Sequence, residues 1–125
     1  MNVVDSSGWL EYFAGSTRAR HFENAILDTD ELLVPVICIY EVFKVVQRER
    51  SESEALFAVS AMQEGIVVEI DTRLALEGAQ LSLQYQLPMA DSLILAVAQQ
   101  FNATLWTQDA DFEGVRGVRF FRIKR

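Results

Sequence analysis

The sequence of 125 residues is poor in the side chains that bind soft metals or cross-link a chain. Cys38 is its single cysteine, which excludes an internal disulfide bond and any zinc or iron–sulfur site built from several cysteines. His21 is its single histidine, so a zinc site with paired histidines is excluded as well. A metal ion in this chain would need oxygen ligands, which favours Mg²⁺ or Mn²⁺.

Long hydrophobic runs are also missing. The longest unbroken apolar run extends from Leu32 to Tyr40, which is nine residues and too short to span a bilayer. The first residues lack the basic segment of a secretory signal peptide, so we expect a cytoplasmic protein with no membrane partner. Half of the residues are hydrophobic and 23% are charged, which is typical of a globular chain. No repeat or linker interrupts it, and we expect one domain over residues 1–125.

Basic charge is scarce over most of the chain. Eleven Lys and Arg residues stand against 18 Asp and Glu, a net charge of −7. This balance argues against general binding to a nucleic-acid backbone, which requires a basic surface. Five of the basic residues lie at positions 116–125, and this basic terminal segment contains no acid. It could contact phosphate groups, or it could be a solvated terminal strand.

Short apolar segments alternate with helical segments along the chain. The pattern predicts strands near residues 2–5, 32–34, 66–70, 103–107 and 118–123, with pairs of helices in most of the connections. Strands that are apolar on both faces belong in a parallel sheet that is covered on both sides. The sequence therefore predicts a three-layer α/β/α sandwich with a mostly parallel sheet of about five strands. Ligands of such sheets bind beyond the carboxyl ends of the strands, where the strand order reverses.

Two acidic positions lie at the carboxyl ends of predicted strands. Asp5 follows the first strand, and Asp109 follows the fourth strand, with Asp111 two residues later. Each position has an ordinary structural explanation, because Asp is a preferred helix N-cap and is common in turns. The carboxyl ends of parallel strands also share one edge of the sheet, so we expect Asp5 and Asp109 to lie at the same edge.

Two further acids, Glu41 and Asp91, lie in early turns of apolar helices that follow a proline. Glu41 could form an exposed stripe with Lys44 and Arg48, and an acid in a first helical turn such as Asp91 is favoured by the helix dipole. In the predicted fold, however, both also approach the edge that holds the strand-end acids. Four carboxylates there would repel each other unless a divalent cation lay among them. Such a site suits phosphodiester hydrolysis by a metal-activated water, which requires no histidine or lysine base.

Four motifs occur in order along the whole chain: VVDSS at residues 3–7, Glu41 in its apolar helix, PMADSLI at residues 88–94 and TQDADF at residues 107–112. Together they resemble the PIN-domain nucleases and, at this chain length, the VapC-type toxins of toxin–antitoxin pairs. The resemblance implies a PIN-like fold and a Mg²⁺- or Mn²⁺-dependent endoribonuclease that leaves 5′-phosphate ends. It also implies a homodimer and a cognate antitoxin protein that blocks the site with a basic segment.

The resemblance also assigns roles to single residues. It implies that the catalytic and metal-binding positions are Asp5, Glu41, Asp91 and Asp109. It further implies that Ser6 and Thr107 orient these acids, and that Asp111 is a variable extra acid. The positive charge of the basic terminal segment makes Arg119 and Arg122 candidate contacts with the RNA substrate or with the antitoxin.

Two other interpretations stay open. A phosphoacceptor receiver domain is also an acidic, Mg²⁺-binding α/β protein of this length, and Asp71 follows a predicted strand as its acceptor would. A receiver domain also needs clustered acids after the first strand, whereas Asp5 has no acidic neighbour, and a late lysine, whereas none lies between Lys44 and Lys124. A PIN-like interaction module without catalysis would have lost some of the four acids, and all four are present.

Overall fold

A computed structural model describes residues 1–123 of the chain. The described residues form one sheet of five strands, which are β1 (Asn2–Val4), β2 (Leu32–Pro35), β3 (Ile66–Val68), β4 (Thr104–Thr107) and β5 (Val118–Phe120). Every strand pair is parallel, and the order across the sheet is β3-β2-β1-β4-β5. The predicted fold class is confirmed.

Six α-helices of the described residues occupy the connections: α1 (Ser6–Ala14), α2 (Arg20–Leu27), α3 (Val36–Glu49), α4 (Glu52–Met62), α5 (Thr72–Tyr85) and α6 (Met89–Gln100). Two helices follow each of β1, β2 and β3, as the sequence pattern predicts, and a 3₁₀ helix at Ala110–Phe112 follows β4. The first two connections run outward to β3, and the third crosses back over the sheet to β4. Right-handed crossovers therefore place α1–α4 on one face of the sheet and α5–α6 on the other.

The central strand β1 is buried on both faces, since Val3 and Val4 are 0% exposed. Helix α1 begins immediately after this strand and packs very closely against it. A Cβ atom at Gly8 would lie 2.7 Å from Cγ1 of Val4 and 2.8 Å from Cδ1 of Phe22, so only glycine permits this approach. The close contact keeps the first turn of α1 at the carboxyl edge of the sheet.

The structure shortens two of the predicted strands by two residues or more, and the strands predicted over residues 2–5 and 103–107 by one residue each. The strand expected over residues 66–70 ends at Val68, and the strand expected over residues 118–123 ends at Phe120. Both are edge strands with one neighbour each, so fewer backbone hydrogen bonds extend them. Lys124 and Arg125 of the basic terminal segment lie outside the described residues. Within residues 1–123, no helix is long and apolar enough to cross a membrane.

The strand order reverses at β1. The chain leaves β1 toward β2 on one side and later returns to β4 on the other side. The carboxyl ends of β1 and β4 therefore flank the crevice in which open α/β sheets bind ligands. Asp5 follows β1 directly, and Asp109 follows β4 by two residues, so the fold places both acids at this crevice.

Candidate active site

Asp5 is buried at the carboxyl end of β1, with 2% of its surface exposed. Its backbone N–H donates to the carbonyl oxygen of Trp106 at 3.2 Å, which holds it against β4. One carboxylate oxygen accepts from the N–H of Gly8 at 3.0 Å and caps α1, and the other accepts from the hydroxyl of Thr107 at 2.6 Å. Asp5 is therefore a helix cap and also faces the crevice, and the two explanations of this residue are compatible.

Thr107 connects the two strand-end acids. Its hydroxyl donates to Asp5 and also accepts from the backbone N–H of Asp109 at 3.0 Å. Asp109 in turn accepts from the N–H of Asp111 at 3.0 Å, which caps the 3₁₀ helix that follows. Ser7 donates to both oxygens of Asp5 at 3.0 and 3.1 Å, a contact that was not predicted. The pair of serines after Asp5 was the signal that could have identified it.

Glu41 is tied to the crevice by Ser6. The Ser6 hydroxyl donates to Oε1 of Glu41 at 2.6 Å, which joins the start of α1 to the second turn of α3. The exposed stripe with Lys44 and Arg48 does not form, because neither side chain pairs with Glu41 within the described part of the chain. Glu41 therefore takes its hydrogen bond from the crevice and not from the solvated face of its helix.

The tightest group of acids consists of Asp91, Asp109 and Asp111. One carboxylate oxygen from each lies within 4.8 Å of the others. Asp91 reaches this group from the first turn of α6, as the sequence predicts. Asp5 and Glu41 lie outside it, whereas Asp111 belongs to it, because the 3₁₀ turn capped by Asp109 brings residue 111 back toward the crevice.

The five acids share one electrostatic environment. Burial raises the pKa of Asp91 from its ordinary 3.8 to about 7, and the negative charges of Asp109, Asp5, Glu41 and Asp111 contribute to the same rise. Burial also raises the pKa of Asp5 to about 6, although its hydrogen bonds from Thr107 and Gly8 oppose the change. Asp5 and Glu41 therefore act on Asp91 even though they lie outside the tightest group.

No lysine or arginine within residues 1–123 forms an ion pair with any of these five carboxylates. Uncompensated carboxylates at one place favour a divalent cation, and a donor set made only of oxygens suits Mg²⁺ or Mn²⁺. Opposite ligand oxygens of Mg²⁺ lie about 4 Å apart, so the oxygens of the tightest group need only small side-chain rotations. The residues present therefore fit a bound divalent cation.

The two arginines proposed as contacts lie on and after β5. Arg119 is exposed, and its guanidinium carbon lies 4.3 Å from the ring centroid of Trp106. Arg122 pairs with Glu113. Both arginines therefore lie near the carboxyl end of β4. Arg119 has no acidic partner among the described residues.

Comparisons with known proteins agree with this architecture. The family model for the PIN domain matches residues 3–118. The fold is similar to a toxin–antitoxin complex from Klebsiella pneumoniae, with a TM-score of 0.80 and 24% identity over 98% of this chain and 100% of that chain. It is also similar to VapC20 of Mycobacterium tuberculosis, a toxin that cleaves the sarcin-ricin loop, with a TM-score of 0.78 and 14% identity over 93% and 95% of the two chains.

A third similar structure is the DNA-bound VapBC complex from Salmonella typhimurium, with a TM-score of 0.77 and 17% identity over 96% of both chains. No curated protein sequence matches the chain. At these identities the likeness to solved structures establishes a common fold, and the family match covers nearly all of the described residues.

Proposed function

The chain belongs to the PIN domain family, and we propose that it is a metal-dependent endoribonuclease that acts as the toxin of a toxin–antitoxin pair. The observation that carries this proposal is the crevice between β1 and β4, where five carboxylates meet without a cationic partner among residues 1–123. The similarity to a toxin that cleaves RNA of the sarcin-ricin loop supports the choice of substrate.

The proposed catalytic and metal-binding residues are Asp5, Glu41, Asp91 and Asp109. The close approach of Asp111 to Asp91 and Asp109 supports its addition to this set. When bound, Mg²⁺ or Mn²⁺ would activate a water and neutralise charge on the phosphate. The chain itself holds the acids in place, with Thr107 and Ser7 on Asp5 and Ser6 on Glu41.

The hydrogen bonds to Asp5 have a chemical role in this proposal. They favour the charged form of a carboxyl group whose burial favours the neutral form. Because a carboxylate must be deprotonated to bind a metal ion, these donors keep Asp5 competent at neutral pH. No histidine or lysine side chain would be needed as a base, which agrees with the all-carboxylate composition of the site.

The test is an incubation of the purified protein with a structured RNA, with Mg²⁺, with Mn²⁺ and with a chelator. We expect cleavage only with metal, and products that carry 5′-phosphate and no 2′,3′-cyclic phosphate, since water and not the 2′-hydroxyl attacks. An Asp91→Asn variant should be inactive. Cyclic-phosphate ends, or equal cleavage with the chelator, would refute the mechanism.

An antitoxin partner is part of the same proposal. Two of the similar structures are toxin–antitoxin assemblies, which supports it. The acidic crevice would attract a basic segment of such a partner. Mixing the protein with the product of a neighbouring small reading frame should give a stable complex that no longer cleaves RNA.

The proposed homodimer is supported by an apolar surface on α3 and α4. Tyr40 and Leu56 are 60% and 52% exposed, and they line a hollow whose other residues are Ile39, Phe43, Lys44, Gln47, Arg48 and Val59. Exposed apolar side chains rimmed by polar ones are typical of a surface that binds another protein. Light scattering of the free protein should give twice the mass of the chain, and a Tyr40→Glu variant should reduce it to the mass of one chain.

The receiver-domain interpretation loses its support in the observed strand order. Receiver-type sheets place the third strand beside the first, whereas β3 lies at the edge here and β2 separates it from β1. Asp71 is exposed and caps α5 through a 2.9 Å hydrogen bond from the N–H of Leu74. The acceptor and the Mg²⁺-binding acids of a receiver would therefore not meet.

A further inference from the structure

A column of aromatic and cationic side chains lies between α2 and the strands β4 and β5. The rings of Trp106 and Phe121 have centroids 6.0 Å apart, and the ring of His21 stacks on Phe121 at 4.7 Å with an interplanar angle of 23°. The guanidinium carbon of Arg119 lies 4.3 Å from the Trp106 centroid and 5.5 Å from the Phe121 centroid. These four residues are called the aromatic–arginine column below.

The aromatic–arginine column adjoins the acidic crevice through the backbone. The N–H of Phe121 donates to the carbonyl oxygen of Thr107 at 2.8 Å, and the carbonyl oxygen of Trp106 accepts from the N–H of Asp5 at 3.2 Å. Thr107 is also the residue whose hydroxyl holds the carboxylate of Asp5. Trp106 and Thr107 are consecutive residues of β4, so their side chains lie on opposite faces of the sheet. A strand of RNA with a phosphate at the carboxylates would have to cross the carboxyl end of β4 to bring a neighbouring base to the column.

Arg119 is the cation of the column that is available to a ligand. It is exposed, it has no acidic partner among the described residues, and the stretch from residue 116 onward contains no acid. Arg122, by contrast, is paired with Glu113. The guanidinium of Arg119 therefore remains free to face a phosphate or a base.

An arginine over a tryptophan can also be simple packing, in which the alkyl stem covers apolar surface. Here β5 is an edge strand, and Arg119 is exposed although His21 of α2 stacks on the neighbouring ring of Phe121. The indole N–H of Trp106 donates to Oδ1 of Asn2 at 2.9 Å, which fixes the plane of the ring under the guanidinium. A fixed ring with an uncovered cation over it is a preorganised surface, and packing alone does not require one.

We propose that Arg119 and Trp106 form a stacking platform for one nucleobase of single-stranded RNA, next to the phosphodiester that the crevice cleaves. This inference rests on the proposed ribonuclease function. Bases of single strands stack on aromatic rings and on guanidinium planes, while cations bind the backbone between them. The platform would select the position of the cleaved bond by holding the neighbouring base.

The test compares two fluorescently labelled probes of equal length, an oligoadenylate and an abasic ribose-phosphate oligomer. Binding is measured by anisotropy with a chelator present, so that no cleavage occurs. We expect the abasic oligomer to bind about 5- to 150-fold more weakly to the natural protein, the effect of losing one stacked base. Arg119→Lys keeps the charge and removes the planar group, so the difference between the probes should shrink to less than about threefold.

Salt dependence separates base stacking from phosphate binding. Arg119→Lys should keep the slope of log Kd against log salt, whereas Arg119→Gln should reduce it by about 0.7. Arg73→Lys, at an exposed arginine of α5, the helix that follows the opposite edge strand β3, is the matched control and should change neither quantity.

Equal binding of the two probes, an unchanged preference in Arg119→Lys, or no binding of either probe would overturn the platform. Cleavage of RNA with Mg²⁺ is assayed separately on the same preparations. Metal-dependent cleavage without any preference for the base-bearing probe refutes the platform alone. A preference for that probe without metal-dependent cleavage refutes the ribonuclease proposal, and of the platform it leaves only the binding of a base by Arg119 and Trp106.

Discussion

The hydroxyl of Thr107 donates a 2.6 Å hydrogen bond to the carboxylate of Asp5, across 102 positions of sequence. This bond joins the ends of β4 and β1 at the point where the strand order reverses. It is buried, and the same hydroxyl accepts from the N–H of Asp109. Thr107 therefore fixes both strand-end acids at once, and its hydroxyl has a structural and an electrostatic effect.

Replacement of Thr107 by Val should reduce stability and activity together. The change leaves the N–H of Asp109 without its partner and leaves one oxygen of Asp5 with only its longer hydrogen bond from Ser7, which costs about 1–3 kcal/mol of unfolding free energy. Thr107→Ser retains the hydroxyl and should retain most of both properties. Urea denaturation in the presence of a chelator measures the first effect, and RNA cleavage with Mg²⁺ measures the second. A Val variant as stable and active as the Ser variant would contradict this role.

Without metal, stability should fall as the pH rises from about 4 to about 7. The pKa of Asp5 is raised to about 6 and that of Asp91 to about 7, so the folded protein holds these protons more tightly than the unfolded chain does. The stabilisation is present at low pH and is lost as the pH passes through the raised pKa values. Unfolding free energies measured with a chelator across this range test the slope.

Asp91→Asn is the variant that checks the origin of this slope, because it removes the group whose pKa is raised to about 7. Its stability should depend less steeply on pH than that of the natural protein. Asp30→Asn, at an exposed acid in a short 3₁₀ helix (Thr29–Glu31) that precedes β2, should leave the slope unchanged. Equal slopes in all three proteins would show that Asp91 titrates normally.

Mg²⁺ or Mn²⁺ should raise the melting temperature through mass action. A cation at 100 times its dissociation constant stabilises the folded state by about 2.7 kcal/mol, if the unfolded chain does not bind it. The double variant Asp91→Asn with Asp109→Asn removes two of the three closest carboxylates and should abolish the shift. Differential scanning fluorimetry measures it. A shift of natural size in the double variant would place the cation elsewhere.

Glu41→Gln should lower the pKa of Asp91, because the negative charge of Glu41 contributes to its rise. The amide retains an oxygen that can accept the hydrogen bond from Ser6, so the contact between α1 and α3 is preserved. The titration of Asp91, followed by NMR of its carboxyl carbon, measures the change. Glu49→Gln, an exposed acid at the end of the same helix, is the control and should leave that titration unaltered.

The strand-end acids could be predicted because they depend on local pattern. An apolar strand followed at once by Asp predicts the placement of Asp5, and a sheet of parallel strands then brings it to the edge that holds Asp109. The place of Asp111 in the tightest group could not be predicted, since it depends on the 3₁₀ turn after β4. The contact of Arg119 with Trp106 depends on the register that pairs these two residues across β4 and β5, which no local signal specifies.

The two roles of Asp5 can be separated by substitution. Asn retains an oxygen that can cap α1, so Asp5→Asn should keep this cap and fold at neutral pH while it loses the carboxylate. Cleavage should then fall by at least about 100-fold, as expected when a metal ligand is lost and not merely a residue that supports one. Asp5→Ala removes the cap as well and should lose about 1 kcal/mol of stability in addition.

Asp71 provides the matched control, because its carboxylate caps α5 with the same geometry but lies two strands away from the crevice. Asp71→Ala should lose about 1 kcal/mol of stability and Asp71→Asn almost none, and both should cleave RNA at the natural rate. Denaturation curves and cleavage rates of the four variants test the separation. If Asp5→Asn cleaved as well as Asp71→Asn, Asp5 would be a helix cap and nothing more.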